Sequence, residues 1–97
     1  MIEIPARLKE YFKGIGFIQI GQSPYGCVYI DIDYLKVVTI STPNTFSGER
    51  YKVAFKLNDV RFAKYYEDIE TLADGTMAEL EMNGLVAFIP PEHYNEE

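Results

Sequence analysis

Residues 27–33, CVYIDID, alternate without a break: Val28, Ile30 and Ile32 fall on one side, and Cys27, Tyr29, Asp31 and Asp33 on the other. That period of two is the mark of a strand. RYKVAFKL (50–57) repeats it, with Tyr51, Val53, Phe55 and Leu57 facing in and Arg50, Lys52, Ala54 and Lys56 facing out. LKVVTIS (35–41) is rich in the β-branched residues that suit a pleated surface. FIQI (17–20) leads into GQSPYG, where Pro24 at the second turn position and Gly26 at the fourth fit a type I turn. TPNTFSGE (42–49) has the composition of a loop.

Two stretches carry the helical period instead. In PARLKEYFK (5–13), Leu8, Tyr11 and Phe12 recur at helical spacing. Pro5 suits the first helical position and Gly14 a left-handed cap. Ile2, Ile4 and Ile15 flank this helix as core candidates. In DVRFAKYYEDIETLA (59–73), Phe62, Tyr65, Tyr66, Ile69, Leu72 and Ala73 make one apolar stripe at 100° per residue. The stripe predicts a second helix, with Asp59 as its N-cap and Asp74-Gly75 as its end. A hairpin turning at Asn58-Asp59 is the rival reading, and the continuation through Ile69 and Leu72 favours the helix.

TMAELEM (76–82) and LVAFIPP (85–91) flank Asn83-Gly84, the strongest short hairpin signal. The pairing would put Ala78, Leu80 and Met82 on the core face and Glu79 and Glu81 on the other, about 7 Å apart. A helix with Thr76 and Glu79 as a capping box competes with it. The expected architecture is α+β: a mostly antiparallel sheet of five or six strands, two helices packed on one face, in the order α-β-β-β-β-α-β-β. The 97 residues form one domain, with 92–97 as a fraying tail.

Charge changes this picture more than composition does. The net charge is −6, but residues 1–66 hold all nine basic side chains against six acids, and 67–97 hold nine acids and no Lys or Arg. An acidic chain is a poor nucleic-acid or anionic-membrane binder, since such binding relies on Lys and Arg displacing counterions. Its natural partner is a protein with a basic surface. One cysteine permits no internal disulfide, no signal peptide is evident, and no apolar run reaches the roughly 18 residues of a membrane span, so a cytoplasmic protein is expected.

Candidate chemistry is sparse. Cys27 and His93 are the only thiol and imidazole, and His93 lies in the tail, so a structural cysteine is the better reading. Asp31 and Asp33 could act as acid and base or hold a divalent cation, but no ligand loop surrounds them. One Cys and one His exclude a zinc pattern. The GIG at 14–16 follows a helix and lacks a third glycine, against a dinucleotide fingerprint. No cofactor and no metal are expected. Arg50, Lys52 and Lys56, with Lys36 beside them and Tyr29 or Tyr34 interleaved, would resemble a nucleic-acid-binding sheet locally, and the net charge turns the reading toward pairing with carboxylates on a neighbouring strand.

The acidic third remains. On the helical wheel Asp68 lies beside Arg61 and Lys64, while Glu67 and Glu70, with Tyr66 at their edge, have no cation in reach. Glu70 and Asp74 near a helix C-terminus oppose the macrodipole. Glu79 and Glu81 could pair with Lys52 and Lys56 if strand 50–57 lay beside strand 76–82. These features lead to an expectation of a non-enzymatic protein-binding module of the inhibitor or immunity type. Glu67, Glu70, Tyr66, Asp74, Glu79 and Glu81 would occupy a basic site on a partner, in the manner of a nucleic-acid mimic, and small size without motifs suggests a phage or mobile-element source. A structural or self-assembling subunit is the alternative, with oligomeric state open, and a small enzyme using Asp31/Asp33 ranks last.

Overall fold

Helix α1 (Ala6–Gly14) forms where the 3.6-residue pattern requires it, burying Leu8 and Phe12. Pro5 is its N-cap rather than its first residue, and its carbonyl accepts from the amides of Leu8 and Lys9. Gly14 is the last helical residue, and the left-handed backbone falls at Gly16, φ +88°, which only glycine adopts without strain. These coordinates come from a computed structural model, which describes residues 3–31, 35–43 and 50–83.

Five strands follow: β1 (Phe17–Ser23), β2 (Gly26–Asp31), β3 (Lys36–Ser41), β4 (Tyr51–Leu57) and β5 (Val60–Tyr66). They pair in sequence order, each antiparallel to the next. The first hairpin turns through Pro24-Tyr25, with Ser23 opposite Gly26, and β1 carries an irregularity between Gln19 and Gly21. Helix α2 (Ile69–Met82) closes the described fold.

The order is therefore α-β-β-β-β-β-α, and two expectations need correction. Residues 60–66 are a strand, so the hairpin at Asn58-Asp59 is the reading that holds; Leu57 pairs with Val60, and Asn58 takes φ 60°, a conformation Asn tolerates better than most residues. Residues 76–82 are helix, not strand, and Asp74-Gly75 lies inside α2 rather than ending it. The partner strand 85–91, like Ile2, Asp33, Tyr34 and the 92–97 tail, lies outside the described residues.

The register puts Cys27, Tyr29, Val38, Ile40, Val53, Phe55 and Leu57 on the face that meets both helices, where they join Leu8, Phe12, Leu72, Ala73 and Leu80 in one core. Phe12 stacks on Tyr29 with ring centroids 4.2 Å apart, and Phe55 on Phe62 at 4.8 Å. Tyr66 reaches from β5 onto α2: a Cβ at Gly75 would stand 2.3 Å from its ring. Glycine in a helix interior costs about 1 kcal/mol relative to alanine, and here it makes room for that ring.

Candidate interaction surfaces

The acidic segment is tied into the fold rather than left free. Asp68, assigned on the helical wheel to Arg61 and Lys64, is instead the N-cap of α2. Its Oδ1 accepts from the Thr71 amide at 2.8 Å and the Thr71 hydroxyl at 2.9 Å. Those bonds hold its carboxyl below the usual value.

Glu70 and Asp74, one helical turn apart, both take the guanidinium of Arg7 from α1; the Glu70 pair measures 2.5 Å. The two carboxylates in turn raise the Arg7 pKa, Glu70 contributing most. Glu67 lies 4.0 Å from Arg50. Glu79 pairs with Lys64 of β5 at 3.5 Å, with its side chain only 17% exposed. Strand 50–57 does not lie beside 76–82, because β4 pairs with β3 and β5, so Glu79 and Glu81 do not pair with Lys52 and Lys56. Tyr66 is partly buried against α2, and burial first and Glu79 second raise its hydroxyl pKa. Glu81 lies close enough to Tyr11 to raise its hydroxyl pKa, although burial contributes more, and together they push it up to about 12.

The remaining candidates are also built into the structure. Asp31 ends β2 and ties it to the start of β3: Oδ1 accepts from the amides of Leu35 and Lys36, and Oδ2 meets Lys36 Nζ at 3.4 Å. Both of its oxygens are thereby occupied. Cys27 is buried, and burial pushes its thiol up to about 11. Among the described residues no group of three or more His, Cys, Asp or Glu side chains converges as a metal site, and no helix is long and apolar enough to cross a membrane.

The sheet face turned away from the helices is different. The register lays it out in rows. Ile18, Ile30, Val37, Lys56 and Arg61 form one, Val28, Thr39, Ala54 and Ala63 the next, and Gly26, Ser41, Lys52 and Tyr65 the third. Ile18 and Tyr65 are about half exposed, at 56% and 48%. Ile30 between them is only 7% exposed, so the face is most open at its β1 and β5 edges. The Arg50 guanidinium sits over the Tyr65 ring, 5.3 Å from its centroid.

Lys52 and Lys56 were expected to meet carboxylates across the sheet. Their neighbours are instead Ser41 and Tyr65, and Val37 and Arg61. Lys56 donates to the Asn58 carbonyl at 3.3 Å, and among the described residues none of Lys52, Lys56 and Arg61 has an ion pair. A concavity of about 520 Å³ opens between Val37, Thr39, Ala54, Lys56, Arg61 and Ala63. A second, about 330 Å³, adjoins it and shares Thr39. The sequence signal for this surface was the alternation Arg61, Ala63, Tyr65, which the helical reading of 59–73 concealed. No protein family, curated protein or solved structure matches the chain.

Proposed function

We propose that the chain is a non-enzymatic protein-binding module whose binding surface is the open face of the sheet. The observation that carries this is the cluster Lys52, Lys56 and Arg61, which has no ion pair among the described residues, around the concavity that Ala54 and Ala63 help to line. Contiguous exposed apolar surface rimmed by polar groups marks interaction sites, and cations not already neutralised by a carboxylate supply steering and register for an acidic partner.

A second reading keeps the acidic surface. The side chains of Glu67, Glu70 and Asp74 remain 76%, 68% and 72% exposed despite their ion pairs. Exposed pairs of this kind contribute little and exchange readily, so a basic partner could take them over from Arg7 and Arg50. The inhibitor or immunity role and the mimicry of nucleic acid rest on this second reading.

One experiment separates the two. Tagged chain captures partners from a source-cell lysate for mass spectrometry, beside a Lys52→Glu/Arg61→Glu variant and a Glu67→Lys/Glu70→Lys variant. Loss of the captured protein with the first variant alone supports the open face, and loss with the second alone supports the acidic face. Capture unchanged by both would sink both readings. Light scattering across ionic strength identifies the self-assembling alternative.

A further inference from the structure

We infer that the open face seats an amphipathic helix of a partner protein, one with a narrow apolar stripe and carboxylates on the flanks that lie over β4 and β5. This rests on the reading of the open face as the binding surface and adds what fills it.

The dimensions come first. Over β4 and β5 the middle row is floored by Ala54 and Ala63, whose side chains are short, and it runs between Lys56 and Arg61 on one side and Lys52 and Tyr65 on the other. Lys52 and Lys56 stand in the outer rows, four residues apart on β4, which is about 13 Å at strand rise. A helix with its side chains is about 10–12 Å across. The two concavities meet at Thr39 and together touch all five strands. Four interstrand gaps span about 19 Å, or about 13 helical residues.

Charge gives the second argument. Lys52, Lys56 and Arg61 line both sides of the trough, and none of them takes part in an ion pair among the described residues, while Glu67 at the edge is met by Arg50. A helix with an apolar stripe between acidic flanks matches that pattern, since small floor residues admit close approach and the rims meet opposite charge. Single-stranded nucleic acid would need a row of aromatic platforms on which to stack bases. The floor here is alanine and threonine, and Tyr65 is already covered by Arg50.

The test uses the full chain and three labelled probes read by fluorescence anisotropy. One is a helical peptide of about 14 residues with an alanine-leucine stripe and glutamate flanks. The second carries lysine in place of glutamate, and the third is a short oligothymidine. The expected result is a saturable dissociation constant below about 1 mM for the glutamate peptide only, weakened about tenfold or more by Arg61→Glu and by Ala63→Trp. Ala63 is exposed, so its substitution fills the trough without entering the core, and circular dichroism verifies that both variants fold.

Preference for oligothymidine would overturn the inference in favour of a nucleic-acid platform. Equal binding of the two peptides, or glutamate-peptide binding indifferent to both substitutions, would overturn it too. Self-association through this face in sedimentation, abolished by Ala63→Trp, would replace the partner helix with a second copy. If the glutamate peptide fails to bind while Lys52→Glu/Arg61→Glu still loses a captured protein, the helix is wrong and the binding face stands.

Discussion

Substituting Gly75 by alanine sets two effects of similar size against each other. Alanine in a helix interior is more favourable than glycine by about 1 kcal/mol. The new methyl, however, would lie 2.3 Å from Tyr66 Cε1 and 2.6 Å from both Cζ and the hydroxyl oxygen, well inside contact distance. Forcing a methyl group into a filled contact costs about 1–3 kcal/mol. The net change for Gly75→Ala is therefore a destabilisation of about 0–2 kcal/mol. In a Tyr66→Ala background the obstacle is gone, and the same substitution should stabilise by about 1 kcal/mol.

Urea unfolding of the four proteins, followed by circular dichroism, yields the coupling energy as a double-mutant cycle. A coupling of about 1–3 kcal/mol is expected, and at this chain length each kcal/mol moves Tm by about 4–8 °C. If Gly75→Ala stabilises equally in both backgrounds, the ring swings aside at no cost and the tight α2–β5 contact is wrong.

Two further predictions concern titrating groups. The Cys27 thiol, pushed from 9.0 to about 11 by burial, should react with Ellman's reagent at pH 8 only as fast as the chain opens; fast labelling of the native protein would contradict its burial. A folded pKa above the unfolded one stabilises fully below the unfolded value, so the urea midpoint should fall as pH rises from about 9 toward 11, with Tyr11, pushed from 10.0 to about 12, acting in the same sense. Asp68 has the opposite sign: its folded pKa is depressed below 3.8 by the Thr71 amide and hydroxyl, so its contribution is present above that value and lost as pH falls through the depressed one. Asp68→Ala should lower Tm at pH 7 and Asp68→Asn much less, with the Asp68→Ala deficit shrinking below the folded pKa to what a neutral cap supplies; a deficit that does not change with pH would refute the role of the ionised carboxylate.

Helix α1 and strands β2, β3 and β4 were legible because their periods are unambiguous. Phe62, Tyr66, Ile69 and Ala73 were not, because they satisfy two periods at once. Read as helix they form a stripe; in the structure the first two belong to β5 and the last two to α2. Lys64 obscures the strand, since a charged residue on the helix-facing side breaks the alternation; it stays 48% exposed there and meets Glu79 of α2. Asn83 misled in a similar way. It is the C-cap of α2, and Asn serves at helix ends as well as in hairpin turns. The partner of Glu70 is hidden from the sequence by distance: a helical wheel shows only neighbours along the same helix, and Arg7 stands 63 residues away.

The consecutive pairing of β1 through β5 also bears on how the chain comes into being. Each strand meets only its neighbour in sequence, so the sheet can be laid down hairpin by hairpin, with short loops to close. The cover over its inner face comes from the two ends of the fold, and Arg7 clasps Glu70 and Asp74 only once both are present. A growing chain therefore carries Tyr29, Val38, Val53 and Phe55 partly bare until α2 has been made. The interval in which a chaperone or a neighbouring nascent chain can engage these residues is set by the time taken to add α2.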